Sequence, residues 1–276
     1  MLSEFQGKVA VVTGAASGIG AALSDAFAAE GMQVVAADID GAGAKSTAER
    51  IGSAAHAVQV DVSDPASVAA LADEAFDRFG QVDVLFNNAG VFQGGLAWER
   101  SLEDWHWVFG VNVFGIIHAI KSFVPRMIAQ GTDGHIVNTA SVAAFVAGPT
   151  SGPYVVSKCA AFSLTESLAL DLGAVGSKIG ASVLTPSTIE TSIATTARVR
   201  PPTFGTDETP DGKVVVEHLA KQIATGIPPS DVVDPVFHGI RTGEFLIPTK
   251  PSYANQLRTR FEALVEKRIP ELAPVD

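Results

Sequence analysis

Cysteine is almost absent from this chain: the single Cys159 excludes an internal disulfide, and its expected place is that of a small buried filler. Charge is sparse and one-sided. Charged residues are 18% of the 276, acids outnumber bases 30 to 19, and the formal net charge is −11. That balance argues against nucleic acid and anionic membranes as partners. No apolar run reaches the roughly 18 residues of a spanning helix. The start, Met1 to Lys8, lacks the basic-then-apolar form of a secretion signal, so the expected location is cytoplasmic. None of the six histidines pairs with another at metal-ligand spacing, and no metal is expected.

What the chain has is apolar material, 47% of its residues, in a repeating order. Apolar runs alternate with helical patterns over the first two-thirds, the mark of a parallel sheet with crossover helices. Strands are expected at 8–13, 33–37, 55–60, 82–86, 135–139, 179–185 and 245–247. Helices are expected at 18–30, 42–51, 65–79, 102–130 (interrupted, with Pro125 inside), 153–172, 231–242 and 253–268. The segment 187–229 is rich in Pro, Thr and Gly and reads as a substrate lid inserted in one domain that spans 1–276. The fold class is therefore α/β, a doubly wound parallel sheet of about seven strands with helices on both faces.

Two motifs carry chemistry. The first is Thr13-Gly14-Ala15-Ala16-Ser17-Gly18-Ile19-Gly20, placed between the first strand and the first helix. Glycines let backbone approach a pyrophosphate, and the helix N-terminus offers free N–H groups to it. Asp38 ends the second strand, 18 residues after Gly20. An acid there accepts from the ribose hydroxyls of an adenosine and repels a 2′-phosphate, and no Arg or Lys stands beside it. The expected cofactor is NAD rather than NADP. A helix cap is the competing role for Asp38, one that Asp40 supplies equally well. The second motif is Tyr154 with Lys158, four apart and so on one helix face, thirteen residues after Ser141. A cation beside a phenol favours its ionised form, which suits proton transfer near neutral pH. Together the motifs point to hydride transfer between a nicotinamide cofactor and an alcohol or ketone.

With Asp61-Val62, Asn87-Asn88-Ala89-Gly90, Asn112, Pro186 and Thr191, these motifs fall in the order of the short-chain dehydrogenase/reductase family, which the first 190 or so residues resemble. The resemblance implies that Gly14, Ser17, Gly18, Ile19, Gly20, Asp38, Asp61, Val62, Asn88, Ala89, Gly90, Pro186, Thr188 and Thr191 hold the dinucleotide, joined by Tyr154 and Lys158. It implies Tyr154 as proton donor or acceptor, Lys158 lowering its pKa and holding the nicotinamide ribose, and Ser141 bonding the substrate oxygen. Asn112 would order a water behind the lysine; pinning a helix kink is its other reading, and both can hold. In the oxidative direction Tyr154 takes the hydroxyl proton as hydride leaves the carbinol carbon. One departure stands out: the family's Pro-Gly after the sixth strand is here Pro186-Ser187.

The apolar segment after Ser141 is expected to line the substrate pocket, with Phe92, Val142, Ala143, Phe145 and Thr150 as wall residues and Phe204 a further candidate. Trp98, Trp105 and Trp107 read as core or subunit interface, and Arg198 and Arg200 as solvated. The substrate is then a bulky apolar secondary alcohol or ketone: aryl, alicyclic or steroid-like. The lid and the Phe245-Leu246-Ile247-Pro248 ending are similar to a subgroup of bacterial dehydrogenases of aryl-substituted alcohols, including lignin-dimer side-chain oxidisers. A 3-oxoacyl-type ketone reductase and a non-catalytic NAD-binding regulator stay open as alternatives. The family's habit implies a homotetramer or homodimer, with the last strand and the 102–130 helical region as contact surfaces.

Overall fold

A computed structural model describes residues 2–205, 209–250 and 253–271. Seven strands form one sheet: β1 (Val9–Thr13), β2 (Gln33–Asp38), β3 (Ala55–Gln59), β4 (Val84–Asn87), β5 (Gly134–Thr139), β6 (Ile179–Thr185) and β7 (Leu246–Pro248). Their order is β3-β2-β1-β4-β5-β6-β7 and every pairing is parallel. The order reverses direction between β1 and β4. In open sheets of this kind, ligands gather in the crevice at the carboxyl ends of the strands around that reversal.

Residues alternate between the faces of a strand, and β1 shows it. Ala10 and Val12 join Leu23 and Phe27 of α1 (Gly18–Ala29) and Phe237 and Ile240 of α8 (Val233–Thr242) on one face. Val11 joins Leu71 of α3 (Pro65–Phe79), Phe123 of α5 (Gly115–Gln130) and Leu168 of α6 (Gly152–Ala174) on the other. With both faces covered, the strands read as continuous apolar runs.

The helix limits have local causes. Asp64 accepts from Ala66 N, Pro65 opens α3, and Gly80 closes it in the left-handed region at φ 75°, so the expected span 65–79 is the observed one. Asp40 caps α2 (Gly41–Ile51) by accepting from Gly43 N. The interruption expected within 102–130 is present and does not fall at Pro125. Pro125 stays inside α5 on an exposed face. The break is a π turn at Gly110–Phe114, between α4 (Leu102–Phe109) and α5. The stretch Leu102–Gln130 is long and apolar enough to cross a membrane, yet half of its most apolar window is buried inside the protein.

The 187–229 segment is more ordered than its composition suggests. It holds 3₁₀ turns at Ile193–Val199 and Pro202–Phe204 and a fourteen-residue helix, α7 (Pro210–Ile223). Residues 206–208 of the expected lid lie outside the described residues. A last helix, α9 (Ala254–Val265), follows β7.

Candidate active site

The carboxyl ends of β1 and β4 are laced together by polar side chains. Thr13 Oγ1 accepts from the backbone N–H of Asn88 (3.0 Å) and Ala89 (3.1 Å), while Asn88 Nδ2 donates to Thr13 O (3.2 Å). The glycine turn crosses this join. A Cβ on Gly20 would lie 2.1 Å from the Gly14 carbonyl oxygen, so only glycine lets α1 start this close to β1. Gly20 thus shapes the turn from behind and does not line the cavity, whereas Gly14, Ser17, Gly18 and Ile19 do. Ser17 caps α1 without a side-chain bond, leaving the first-turn N–H groups to the cavity side.

Asp38 faces the same cavity. One carboxylate oxygen accepts from Ala16 N (2.9 Å) and the other from Asp40 N (2.9 Å). Because Asp40 is the residue that caps α2, Asp38 is not spent on that task. Asp61 is held by Ser63, whose N–H (2.9 Å) and hydroxyl (2.6 Å) both donate to it. Asp61, Val62, Asn88, Ala89 and Gly90 continue the lining, and Pro186, Thr188 and Thr191 close the far side. The cleft is about 740 Å³. A glycine cradle, an open helix N-terminus and an acid at the end of β2 fit a nicotinamide dinucleotide with its adenosine toward Asp38.

Ser141 ends the run after β5, and Tyr154 and Lys158 lie on the first turns of α6, the same cavity touching all three. The Ser141 side chain acts on the Tyr154 phenol and favours its ionised form. Ser141 Oγ also accepts from Ala143 N (3.1 Å) and sits 3.4 Å from Pro186 O. Lys158 is buried, donates to Thr139 O (3.0 Å), and its Nζ is 5.6 Å from the Tyr154 ring centre. Burial pushes the phenol above its ordinary pKa, with Ser141 pulling the other way. Burial alone brings Lys158 down to about 8. Desolvation penalises both charged forms, so the net shift of the phenol is upward and not the expected lowering.

Asn112 lies in the π turn and is not among the residues that line the cavity. Its side chain accepts from Val91 N (2.8 Å) and donates to Val91 O (3.0 Å) and Ser157 Oγ (3.0 Å). These bonds pin the kink, one of its two compatible readings. Phe92, Val142, Ala143 and Thr150 line the cavity as expected, and Phe92 packs on Tyr154 at 5.0 Å. Phe145 does not. It is buried against Phe162 and Tyr253, because it follows the 3₁₀ turn Val142–Ala144 and turns under it. Phe204 packs behind the wall, beside Trp107 and Val91.

Three features escaped the sequence reading. Trp107 is a cavity wall, while Trp98 is exposed and Trp105 packs on Phe109. Arg200 is an ion-paired, largely buried side chain rather than a solvated one. One face of α7, with Val214, Val215, Leu219 and Ile223, covers the cavity; their helical spacing was the available signal. Ser187 has no left-handed φ, so the glycine missing after Pro186 is not required. Among the described residues no cluster of three or more His, Cys, Asp or Glu is placed to hold a metal.

A parallel open sheet with this glycine turn at its reversal, and a Ser, Tyr and Lys group beside it, defines a nicotinamide-dependent oxidoreductase. Residues 8–201 match the model of the short chain dehydrogenase family, and the chain belongs to that family. It is 32% identical over 98% of its length to the C alpha-dehydrogenase of a Sphingobium species, covering 89% of that protein. It is 44% identical over 68% of its length to the 1-deoxy-11-beta-hydroxypentalenate dehydrogenase of Streptomyces avermitilis, covering 71% of it. Among solved structures, a short chain dehydrogenase/reductase from Burkholderia phymatum in complex with NAD superposes with a TM-score of 0.95, at 41% identity and 99% coverage of each chain.

Proposed function

We propose that this chain is an NAD-dependent dehydrogenase of a bulky, apolar secondary alcohol, aryl, alicyclic or steroid-like, with Tyr154 as general acid and base. The observation that carries the reading is one continuous cleft. It runs from the Asp38 end past Ser141, Tyr154 and Lys158 to an apolar compartment of Phe92, Trp107, Val142, Val199 and Val215. The bound nicotinamide supplies the hydride acceptor. Ser141 donates to the substrate oxygen and holds it against the phenol. Tyr154 takes the hydroxyl proton, and Lys158 stabilises the phenolate that does so.

Asp38 supports NAD over NADP. Its carboxylate is fixed by two backbone N–H groups, and Ile39 rather than a base follows it. The names of the relatives, a C alpha-dehydrogenase and a 1-deoxy-11-beta-hydroxypentalenate dehydrogenase, support a dehydrogenase of a hydroxyl-bearing compound. The exposed apolar residues Leu102, Phe114 and Val156 on one side and Phe261, Leu264 and Val265 on α9 support assembly into dimers or tetramers. A light-scattering mass of one chain would refute assembly.

The deciding experiment follows NADH formation with NAD against NADP across aryl, alicyclic, steroid and 3-hydroxyacyl secondary alcohols. The expected outcome is turnover of one apolar class with NAD, and loss of the preference in Asp38→Ala. Preference for 3-hydroxyacyl substrates would replace this reading with the reductase alternative.

A further inference from the structure

We propose that Arg100, Asp104, Arg200 and Asp211 form a positioning unit that ties the cover formed by 193–205 and 209–223 to α4 and so sets the far wall of the substrate cavity. The proposal rests on the substrate-pocket reading above for its kinetic consequence, but not for its structural one.

The four groups balance two positive charges against two negative ones. Asp104 lies in the first turn of α4, where it also completes a capping box with Ser101, and its side chain is fully buried. One of its oxygens faces Arg100 Nη1 at 3.4 Å, and the other takes Arg200 Nη1 at 2.5 Å. Arg100 reaches across to the cover, donating to Thr209 Oγ1 and facing Asp211 Oδ1 at 3.6 Å. Asp211 is itself anchored by Leu96 N at 2.7 Å. The cover is therefore fastened twice, through Arg200 before residues 206–208 and through Thr209 and Asp211 after them.

Buried ion pairs recover little net stability after desolvation, so burial of this group calls for a positional account. The backbone that carries the charges also carries the wall. Val199 and Pro201, on either side of Arg200, line the cavity. So does Trp107, three residues after Asp104, and the Arg200 guanidinium lies 5.2 Å from the Trp107 ring centre. A fork that pairs with Asp104 while stacking on Trp107 fixes two walls against each other, a geometry that Lys does not reproduce. On the opposite rim, Phe92 N donates to Thr196 Oγ1 at 3.0 Å, so the same turn is also held from the Tyr154 side.

The test compares the full-length protein with Arg200→Met, which keeps the apolar stem, Arg200→Lys, which keeps the charge, and Asp211→Asn at the partly exposed end of the unit. Amide hydrogen exchange is read over 193–205 and 210–223, with KM and kcat for the best secondary alcohol and the NADH dissociation constant. In Arg200→Met, exchange in those two segments is expected to accelerate about ten-fold or more while the sheet stays protected. KM is expected to rise about ten-fold with kcat changed by less than about three-fold, and NADH affinity is expected to hold. Arg200→Lys recovers only part of the loss. Unchanged exchange and KM would overturn the proposal, and so would uniformly faster exchange with weakened NADH binding, which marks a general role in folding. Should Arg200→Met not fold, Asp211→Asn decides on the same readouts. Should the wild type oxidise no secondary alcohol, the substrate reading fails while the exchange arm still decides the positioning claim.

Discussion

At the scale of the residue, the site rests on two groups that burial handles in opposite senses. The Tyr154 phenol is pushed up and Lys158 is pulled down to about 8, both by desolvation. In the proposed mechanism oxidation needs the phenolate, so kcat/KM for an alcohol is expected to rise with pH on the alkaline side. As the phenol ionises, its charge favours the ammonium beside it, and the two titrate as a pair with shared apparent pKa values. Removing the cation in Lys158→Met leaves the phenolate unsupported, and the rising limb of the pH profile moves to higher pH. A limb that stays in place would separate Lys158 from the phenol. Tyr154→Phe removes the transferable proton and keeps the ring against Phe92. Its turnover falls by about 10²-fold or more, while NADH binding, read by fluorescence titration, is retained. Activity that survives this change would return weight to a non-catalytic role.

At the scale of the element, the glycine turn joins β1 to α1 with no space to spare. In Gly20→Ala the new methyl meets the Gly14 carbonyl oxygen, backbone that cannot swing aside, so the turn and the start of α1 must shift together. The expected cost is about 1–3 kcal/mol of stability, with weaker NADH binding; a melt and a titration that match the wild type would show that the turn adapts. This turn was legible in the sequence because strand, glycines and helix follow one another without a break. So was α3, where Asp64, Pro65 and Gly80 mark both ends chemically. The π turn was not. It depends on the Asn112 amide bonding to Val91, a contact 21 residues away that no local pattern encodes. Helix α7 had a local signature in Thr209, which accepts from Gly212 N, and in Pro210 at its first turn. That signature was masked by the Pro and Thr content of the segment around it. Arg200 read as solvated for the same reason as Asn112: its partner Asp104 is 96 residues distant.

At the scale of the whole molecule, the response to acid turns on a buried imidazole far from the site. His135 sits in β5 against β6, and its Nε2 lies 2.7 Å from Ser182 Oγ. The single Ser182 hydrogen goes to Glu244 O at 2.5 Å, so His135 Nε2 must be the donor in the first bond. That leaves Nδ1 unprotonated, buried and without a partner, and a second proton there would be an unpaired charge inside the sheet. Burial accordingly holds the imidazole down to about 4, from an ordinary 6.5. Between these values the unfolded chain binds the proton and the folded one does not. Stability is complete above pH 6.5, declines as the pH falls toward 4, and loses on the order of 3 kcal/mol from this group across that window. Other groups titrate in the same range on a chain of net charge −11, so a single denaturation series does not isolate the effect. The difference between wild type and His135→Gln does, since contributions common to both cancel. Urea unfolding of the two proteins at pH 7.5 and pH 5 is expected to show a wild-type stability that falls by about 2 kcal/mol more than that of the variant. Parallel losses in both would mean that His135 takes up its proton inside the folded sheet, and that the bond order assigned to Ser182 is reversed.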